Sequence, residues 1–154
     1  MIENQAPMLE VRGLTKHFDV SPPLLNRVLN GTGKISLKAV ENVNFRIPKG
    51  KTFGLVGESG CGKSTVARLV VRLYEPTAGS VNLEGIDLGG LNSRGAMEPM
   101  RRKMQMIFQD PYASLNPRWR VAEIIAEPIR THRLLSDEKE IQKRVAELLM
   151  QVSL

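Results

Sequence analysis

A glycine-rich run in the first half of the chain has the residue types and the spacing of a phosphate-binding loop. It matches the pattern G-x-x-x-x-G-K-S/T, with a second hydroxyl residue behind it, over Gly57-Glu58-Ser59-Gly60-Cys61-Gly62-Lys63-Ser64-Thr65. Glycines let several backbone N–H groups converge on one point, and a helix that begins there presents unpaired N–H groups to phosphate oxygens. Lys63 adds a charge within reach of the β- and γ-phosphates, and the Ser64 hydroxyl is a hard ligand of the kind that Mg²⁺ prefers. We therefore predict a nucleotide-binding loop over 57–65, here called the phosphate loop.

A strand before the phosphate loop and a helix after it are needed to hold it in place. Phe53-Gly54-Leu55-Val56 is a short apolar run that is typical of a buried parallel strand. Behind the loop, apolar residues recur at helical spacing at Val66, Leu69, Val70 and Leu73. The order of strand, loop and helix is the context that the motif requires.

Two residues outside the loop are candidates for the same site. Phe18 follows a predicted short strand over 8–14, and it is either a core aromatic or a stacking platform for an adenine ring. Gln109 ends an alternating run over 104–109 that predicts another strand. Its amide oxygen could serve a metal ion or an attacking water, or it could be a polar strand end without a role. These residues by themselves leave both choices open.

Composition places the chain among soluble globular proteins. Its 154 residues are 42% hydrophobic and 25% charged, and no apolar run approaches the roughly 18 residues that span a bilayer. The first residues lack the basic start and apolar stretch of a signal peptide. Cys61 is the only cysteine, which excludes an internal disulfide.

The net charge of +6 favours an anionic partner, but its distribution argues against nucleic acid. Acidic residues are interspersed with basic ones, and Arg101-Arg102-Lys103 is the only basic triplet. Aromatic residues make up 5% of the chain and form no pattern with the basic ones. We expect a solvated surface and no nucleic acid partner.

Periodicity and turn residues predict the other elements. Strands over 8–14 and 37–47 should pair antiparallel, and a further strand should lie over 80–85. An extended loop or an inserted hairpin, with an apolar turn near 24–29, is expected over 19–38. A loop is expected over 89–98, and a short helix is expected to begin at Pro99.

The end of the chain is predicted to be helical. A helix begins at Val121 and should be kinked or divided at Pro128. Ser136 is expected to cap a last helix whose apolar stripe continues to Val152.

The phosphate loop, the Gln109 segment and their spacing resemble the ATP-binding-cassette (ABC) ATPases. The run Met106-Ile107-Phe108-Gln109-Asp110-Pro111-Tyr112-Ala113-Ser114-Leu115-Asn116-Pro117-Arg118 is similar to the Q-loop of the oligopeptide, dipeptide and nickel importers. The 19–38 insertion resembles the longer N-terminal region of that subfamily. The resemblance implies an α/β P-loop NTPase core over 1–120, with an N-terminal antiparallel β subdomain, and an incomplete helical subdomain over 121–154.

The resemblance also implies roles for single residues. Phe18 occupies the place of the family's adenine-stacking aromatic, and the phosphate loop would hold the phosphates of ATP. Ser64 and Gln109 would contribute ligands to Mg²⁺, and Lys63 and Gln109 would take part in catalysis. The implied partners are transmembrane permease subunits, a second ATP-binding subunit and, indirectly, a periplasmic or extracellular solute-binding protein. The implied location is peripheral, at the cytoplasmic face of the inner or plasma membrane.

Three motifs of that family do not occur within the 154 residues. We find no apolar run that ends in Asp-Glu, no Leu-Ser-Gly-Gly-Gln-type signature and no later switch histidine. The expectation is therefore an N-terminal portion that binds ATP without hydrolysing it, cut from an ATPase that energises import of peptides or related small solutes. The alternatives are a non-hydrolysing or regulatory cassette fragment, a small P-loop kinase or GTPase, and a nucleic-acid-binding protein. A GTPase would need an Asn-Lys-x-Asp string, which is absent.

Overall fold

The computed structural model describes residues 7–23, 33–110 and 114–154, which form two compact units, Met1–Met104 and Gln105–Leu154. The apolar turn predicted near 24–29 and Pro111–Ala113 of the predicted Q-loop lie outside the described residues. The domain limits of 1–120 and 121–154 came from the family resemblance and stay a prediction.

The first unit is built on a four-stranded antiparallel sheet in the order β2-β1-β3-β4. Its strands are β1 (Leu9–Asp19), β2 (Ser36–Ile47), β3 (Ala78–Leu83) and β4 (Ile86–Asp87). The predicted pairing of the first two strands is confirmed, because Leu9 lies opposite Ile47 at one end of the ladder and Phe18 lies opposite Leu37 at the other. β1 is longer than predicted and includes Phe18.

Two helices and a short 3₁₀ turn contribute to the core of this unit. They are α1 (Lys63–Val70), the 3₁₀ turn (Leu88–Gly90) and α2 (Arg94–Lys103). The buried residues come from the strands, α1, the turn and α2, and they are Val11, Leu14, Val40, Val66, Leu69, Val81, Leu83, Leu88, Met97 and Met100. The predicted helical stripe behind the phosphate loop is only partly right, since Leu73 lies beyond α1 and is exposed.

The loop predicted over 89–98 is wrong in its second half, where α2 forms. The Ser93 side chain accepts a hydrogen bond from the Ala96 backbone N–H, which caps the helix. Met97 and Met100 are buried three residues apart on one helix face, and this burial favours a helix through Pro99. The packing of these two methionine side chains therefore outweighs the tendency of nearby glycine and proline residues to disfavour a helix.

The strands predicted over 53–56 and 104–109 are not formed. Residues 51–58 and 104–108 have no regular secondary structure, and Val56 and Ile107 are 93% and 90% exposed. A buried parallel strand needs hydrogen-bonding neighbours along its edges and cover on both faces. Neither run is assigned a strand partner among the described residues. Phe53 instead stacks on Phe45 of β2, with ring centroids 4.9 Å apart.

The second unit is a helical pair with a small core of its own. α3 (Val121–Thr131) and α4 (Glu138–Gln151) bury Ala126, Ile129, Ile141 and Val145. α3 is not divided, because the helix continues through Pro128. The cap of α4 is Asp137 rather than the predicted Ser136, because the Asp137 carboxylate accepts from the Lys139 N–H at 3.3 Å.

An arginine ties the two helices of the second unit together. The Arg130 guanidinium pairs with Glu123 at 2.8 Å and also with Glu138. The hydrogen bond from Arg130 is the main cause that lowers the pKa of the Glu138 carboxyl. Among the described residues, no helix is long and apolar enough to cross a membrane.

Candidate nucleotide-binding site

The phosphate loop leads into α1 through glycines that adopt left-handed backbone conformations. Gly60 has φ +80°, and Gly62 has φ +97° and is the N-cap residue of α1. The Val66 N–H donates to the Gly62 carbonyl at 2.9 Å, which closes the first turn of the helix. A residue with a side chain rarely adopts such φ values, so the loop shape depends on glycine at these positions.

Gly62 also allows the loop to approach the sheet closely. A Cβ atom at this position would lie 2.5 Å from the Ala39 carbonyl oxygen and 3.5 Å from a methyl carbon of Val40. Both of these residues belong to β2. The start of α1 is therefore seated against the strand that pairs with the Phe18 end of β1.

The Lys63 side chain folds back over the loop. Its ammonium Nζ donates to the Gly57 carbonyl at 2.8 Å and to the Glu58 carbonyl at 2.5 Å, and it lies 3.5 Å from the Cys61 Sγ. The positive charge is therefore placed over the loop backbone by two carbonyl acceptors. Phosphate oxygens are stronger acceptors for an ammonium than neutral carbonyls are.

The N-terminus of α1 has the electrostatics of an anion site. No side chain caps the helix, and no acidic residue lies in its first turn. The Ser64 side chain is exposed in that turn, and its hydroxyl makes no hydrogen bond to a described residue. Unpaired N–H groups and the helix dipole both favour an anion here.

Phe18 lies in an aromatic and cationic cluster. Its ring meets the Tyr74 ring edge-to-face, with centroids 5.5 Å apart, and the Lys16 Nζ lies 5.1 Å from the Phe18 centroid. Tyr74 in turn lies beside Arg68, whose guanidinium carbon is 5.8 Å from the Tyr74 centroid. This packing gives the Phe18 ring a fixed orientation. Adenine stacking on Phe18 stays a prediction.

Sequence reasoning missed the neighbours that fix Phe18. Tyr74 follows α1 in a turn where its N–H bonds to the Arg68 carbonyl at 3.3 Å, and the Lys16 Nζ donates to the Glu75 carbonyl at 2.7 Å. The Lys16 contact joins residues 59 apart in sequence. Only the register of β1 in the sheet could have indicated that these residues lie beside Phe18.

Gln109 belongs to the second unit, where it is exposed and lies outside any helix or strand. The Ser114 hydroxyl donates to the Asp110 carbonyl at 3.1 Å just behind it. The geometry of the phosphate loop does not test the role of Gln109 as a metal ligand or catalytic residue, which stays a prediction.

Comparisons with known proteins show the family to which the chain belongs. Residues 40–154 match the protein family described as ABC transporter. The oligopeptide transport ATP-binding protein OppF of Bacillus subtilis (strain 168) is 51% identical over 147 residues, which are 96% of this chain and 44% of that relative. The di/tripeptide transport ATP-binding protein DppF of Pseudomonas aeruginosa (strain UCBPP-PA14) is 41% identical, again over 96% of this chain and 43% of the relative.

A solved structure agrees at the level of the fold. The ATP-binding cassette MJ0796, in a dimeric post-hydrolysis state bound to ADP and Pi, matches with a TM-score of 0.74 and 27% identity over 96% of this chain and 58% of its own. The fold is thus that of an ATP-binding cassette. The chain belongs to the ABC transporter family, which confirms the predicted resemblance. It spans less than half the length of these two curated relatives.

Proposed function

We propose that this chain binds the phosphates of ATP through Gly57–Thr65 and is the nucleotide-binding part of an importer of peptides or related small solutes. The observation that carries the proposal is the seating of Gly62 on β2, which starts an uncapped helix with Lys63 folded over the loop. The printed names of the relatives, for oligopeptide and di/tripeptide transport, support the class of cargo.

Each proposed site residue has a role in nucleotide binding. The loop backbone and Lys63 hold the phosphates, and Phe18 stacks on the adenine ring. Ser64 fits a Mg²⁺ ligand because its exposed hydroxyl is a hard oxygen that no described residue engages. Gln109 is proposed as a second ligand on the family resemblance alone. A Mg²⁺ ion held by these residues would offset the negative charge of the phosphates.

The proposed partners follow from the family. Transmembrane permease subunits and a second ATP-binding subunit would complete the importer, with a periplasmic or extracellular solute-binding protein as an indirect partner. The cassette would then lie at the cytoplasmic face of the membrane.

Hydrolysis is proposed for the complete importer and not for these 154 residues. Phosphoryl transfer to water needs a water-positioning group and charge stabilisation together with the phosphate cradle. We find no apolar run ending in Asp-Glu and no signature motif in the sequence. A purified chain that turned over ATP above background, with the turnover lost in Lys63→Ala, would contradict this part. The alternative is a regulatory cassette that binds ATP without hydrolysing it in any assembly.

Calorimetry with Mg-ATP tests the binding proposal. Lys63→Ala removes a charge-assisted contact worth about 1.5–3 kcal/mol, so the affinity should fall by at least about tenfold. Lys51→Ala is the matched control, because this lysine is exposed in the turn before the loop. A folded parent chain that gave no binding heat, or equal affinities for the two variants, would refute the proposal.

A further inference from the structure

Tyr74 joins Phe18 to the helix that begins at the phosphate loop. Its ring meets the Phe18 ring at an interplanar angle of 82°, with centroids 5.5 Å apart. Its backbone N–H donates to the Arg68 carbonyl of α1 at 3.3 Å, and its side chain packs against the buried core of the first unit. One aromatic residue is therefore in contact with Phe18, with α1 and with the core.

The turn after α1 is tied to β1 beside these two rings. The Thr77 N–H donates to the Thr15 carbonyl at 2.8 Å, and the His17 N–H donates to the Thr77 hydroxyl oxygen at 3.0 Å. The Lys16 Nζ donates to the Glu75 carbonyl at 2.7 Å. These three hydrogen bonds hold the two backbone segments together, so the aromatic pair is built on a fixed base.

The Phe18 ring is restrained by two neighbours and is still accessible. Tyr74 stands nearly perpendicular to it, and the Lys16 Nζ lies 5.1 Å from its centroid. Phe18 is only half-buried, so part of the ring remains open to a ligand. A side chain that is already held in one rotamer loses less conformational entropy when a ligand binds to it. The neighbours of Phe18 therefore affect how tightly a base can stack on it.

We propose that Tyr74 is a positioning residue for the nucleotide, because it holds the Phe18 ring in the orientation in which adenine stacks. The inference rests on the proposed stacking of adenine on Phe18. Tyr74 is hydrogen-bonded to α1, whose first residue is Lys63, so it also sets the place of the stacking ring relative to the phosphate loop. Loss of the Tyr74 ring should weaken binding of the base and leave binding of the phosphates intact.

The ring of Tyr74, and not its hydroxyl, carries this role. The Arg68 Nη1 lies 3.4 Å from the Tyr74 hydroxyl oxygen, which is long for an N–H···O hydrogen bond, whose usual distance is about 2.9–3.0 Å. An edge-to-face aromatic pair depends on the two rings alone. Tyr74→Phe should therefore preserve nucleotide binding, whereas an aliphatic residue should not.

Calorimetry of the whole 154-residue chain with Mg-ATP and with Mg-tripolyphosphate, which lacks the base, tests the proposal. Tyr74→Leu should weaken ATP binding by about threefold to tenfold and should leave the tripolyphosphate affinity as it is. Tyr74→Phe should keep the parent affinity for ATP. Leu73→Ala is the matched control in the same turn, because the Leu73 side chain is exposed, and it should keep both affinities.

A double-mutant cycle with Phe18 shows whether Tyr74 acts through that ring. In the Phe18→Leu background, Tyr74→Leu should cause no further loss of ATP affinity, because the ring that it positions is gone. Tyr74→Met, whose flexible apolar side chain can fill the space against the core, replaces Tyr74→Leu in the same measurements if the leucine variant does not fold.

Three results would overturn the proposal. One is an equal loss of ATP and tripolyphosphate affinity in the Tyr74 variant, which would show that Tyr74 supports the phosphate loop instead. Another is unchanged ATP affinity in that folded variant. The third is the same loss of ATP affinity with and without the Phe18 ring. A failure of the proposed function looks different: the parent chain then binds no ATP, or Phe18→Leu leaves the ATP affinity unchanged, and the inference falls with it.

Discussion

At the scale of single residues, Gly62 determines whether the phosphate loop can form. Its φ of +97° and the 2.5 Å that would separate an added Cβ atom from the Ala39 oxygen both exclude a side chain. The spacing of the glycines predicted the loop, because the pattern itself encodes the backbone requirement. The contact with Ala39 could not be predicted, since it depends on where β2 lies in the folded unit.

Gly62→Ala should destabilise the chain and abolish ATP binding. The left-handed conformation alone costs an alanine about 1–2 kcal/mol, and the contact with the Ala39 carbonyl adds to that cost. Chemical denaturation measures the stability, and calorimetry measures the binding. Gly54→Ala is the control: a Cβ there meets no atom within 4 Å, so its effect should stay within about 0.5 kcal/mol. Equal behaviour of the two variants would contradict the seating of Gly62 on β2.

The carboxyl of Asp19 should titrate far below its ordinary range. Hydrogen bonds from Ser21, with a smaller contribution from Lys34, lower the pKa of Asp19 from 3.8 to about 2. The pKa of Asp19 is lower in the folded chain than in the unfolded chain, so the ionised carboxyl stabilises the fold. This stabilisation is present above about pH 3.8 and is lost as the pH falls through about 2. An NMR titration of the carboxyl carbon measures this pKa. Ser21→Ala should raise it toward 3.8, whereas Ser153→Ala in the other unit should not; an unshifted Asp19 in the parent chain would contradict the contact.

At the scale of elements, the antiparallel pairing of β1 and β2 could be predicted, whereas the buried parallel strand predicted over 53–56 is not formed. The alternation in 37–47 indicates a strand with one apolar face, and its partner lies nearby in sequence. Apolar runs such as 53–56 form a strand only when other strands lie beside them, and sequence alone does not provide that information. The first half of α2 was missed for a related reason, since burial of Met97 and Met100 outweighs the tendency of Gly95 and Pro99 to disfavour a helix.

The helical stripe behind the phosphate loop contains both core and surface residues. Leu69 is fully buried in α1, whereas Leu73 lies past the helix end and is 55% exposed. Leu69→Ala should lower the free energy of unfolding by about 2–5 kcal/mol. Leu73→Ala should change it by about 0.5 kcal/mol or less. Urea denaturation of both variants checks this, and similar losses would show that α1 does not end where the structure ends it.

At the scale of the whole molecule, each of the two units has a core of its own. The first combines the sheet with α1 and α2, and the second relies on four buried residues between α3 and α4. The family could be predicted from two motifs, the phosphate loop and the Gln109 run, because both are long and specific. The proposed cargo, peptides or related small solutes, rests on the names of relatives, and this chain spans less than half the length of each of them.

The most direct test of the central claim uses Cys61, the only cysteine, which is exposed within the phosphate loop. Its Sγ lies 3.5 Å from the Lys63 Nζ, so a phosphate held by this lysine would cover the thiol. The rate of Cys61 alkylation, followed by mass spectrometry, should fall by about tenfold or more in saturating Mg-ATP and should not change with adenosine, which lacks phosphates. An unchanged alkylation rate in saturating Mg-ATP would contradict binding of ATP phosphates by Gly57–Thr65.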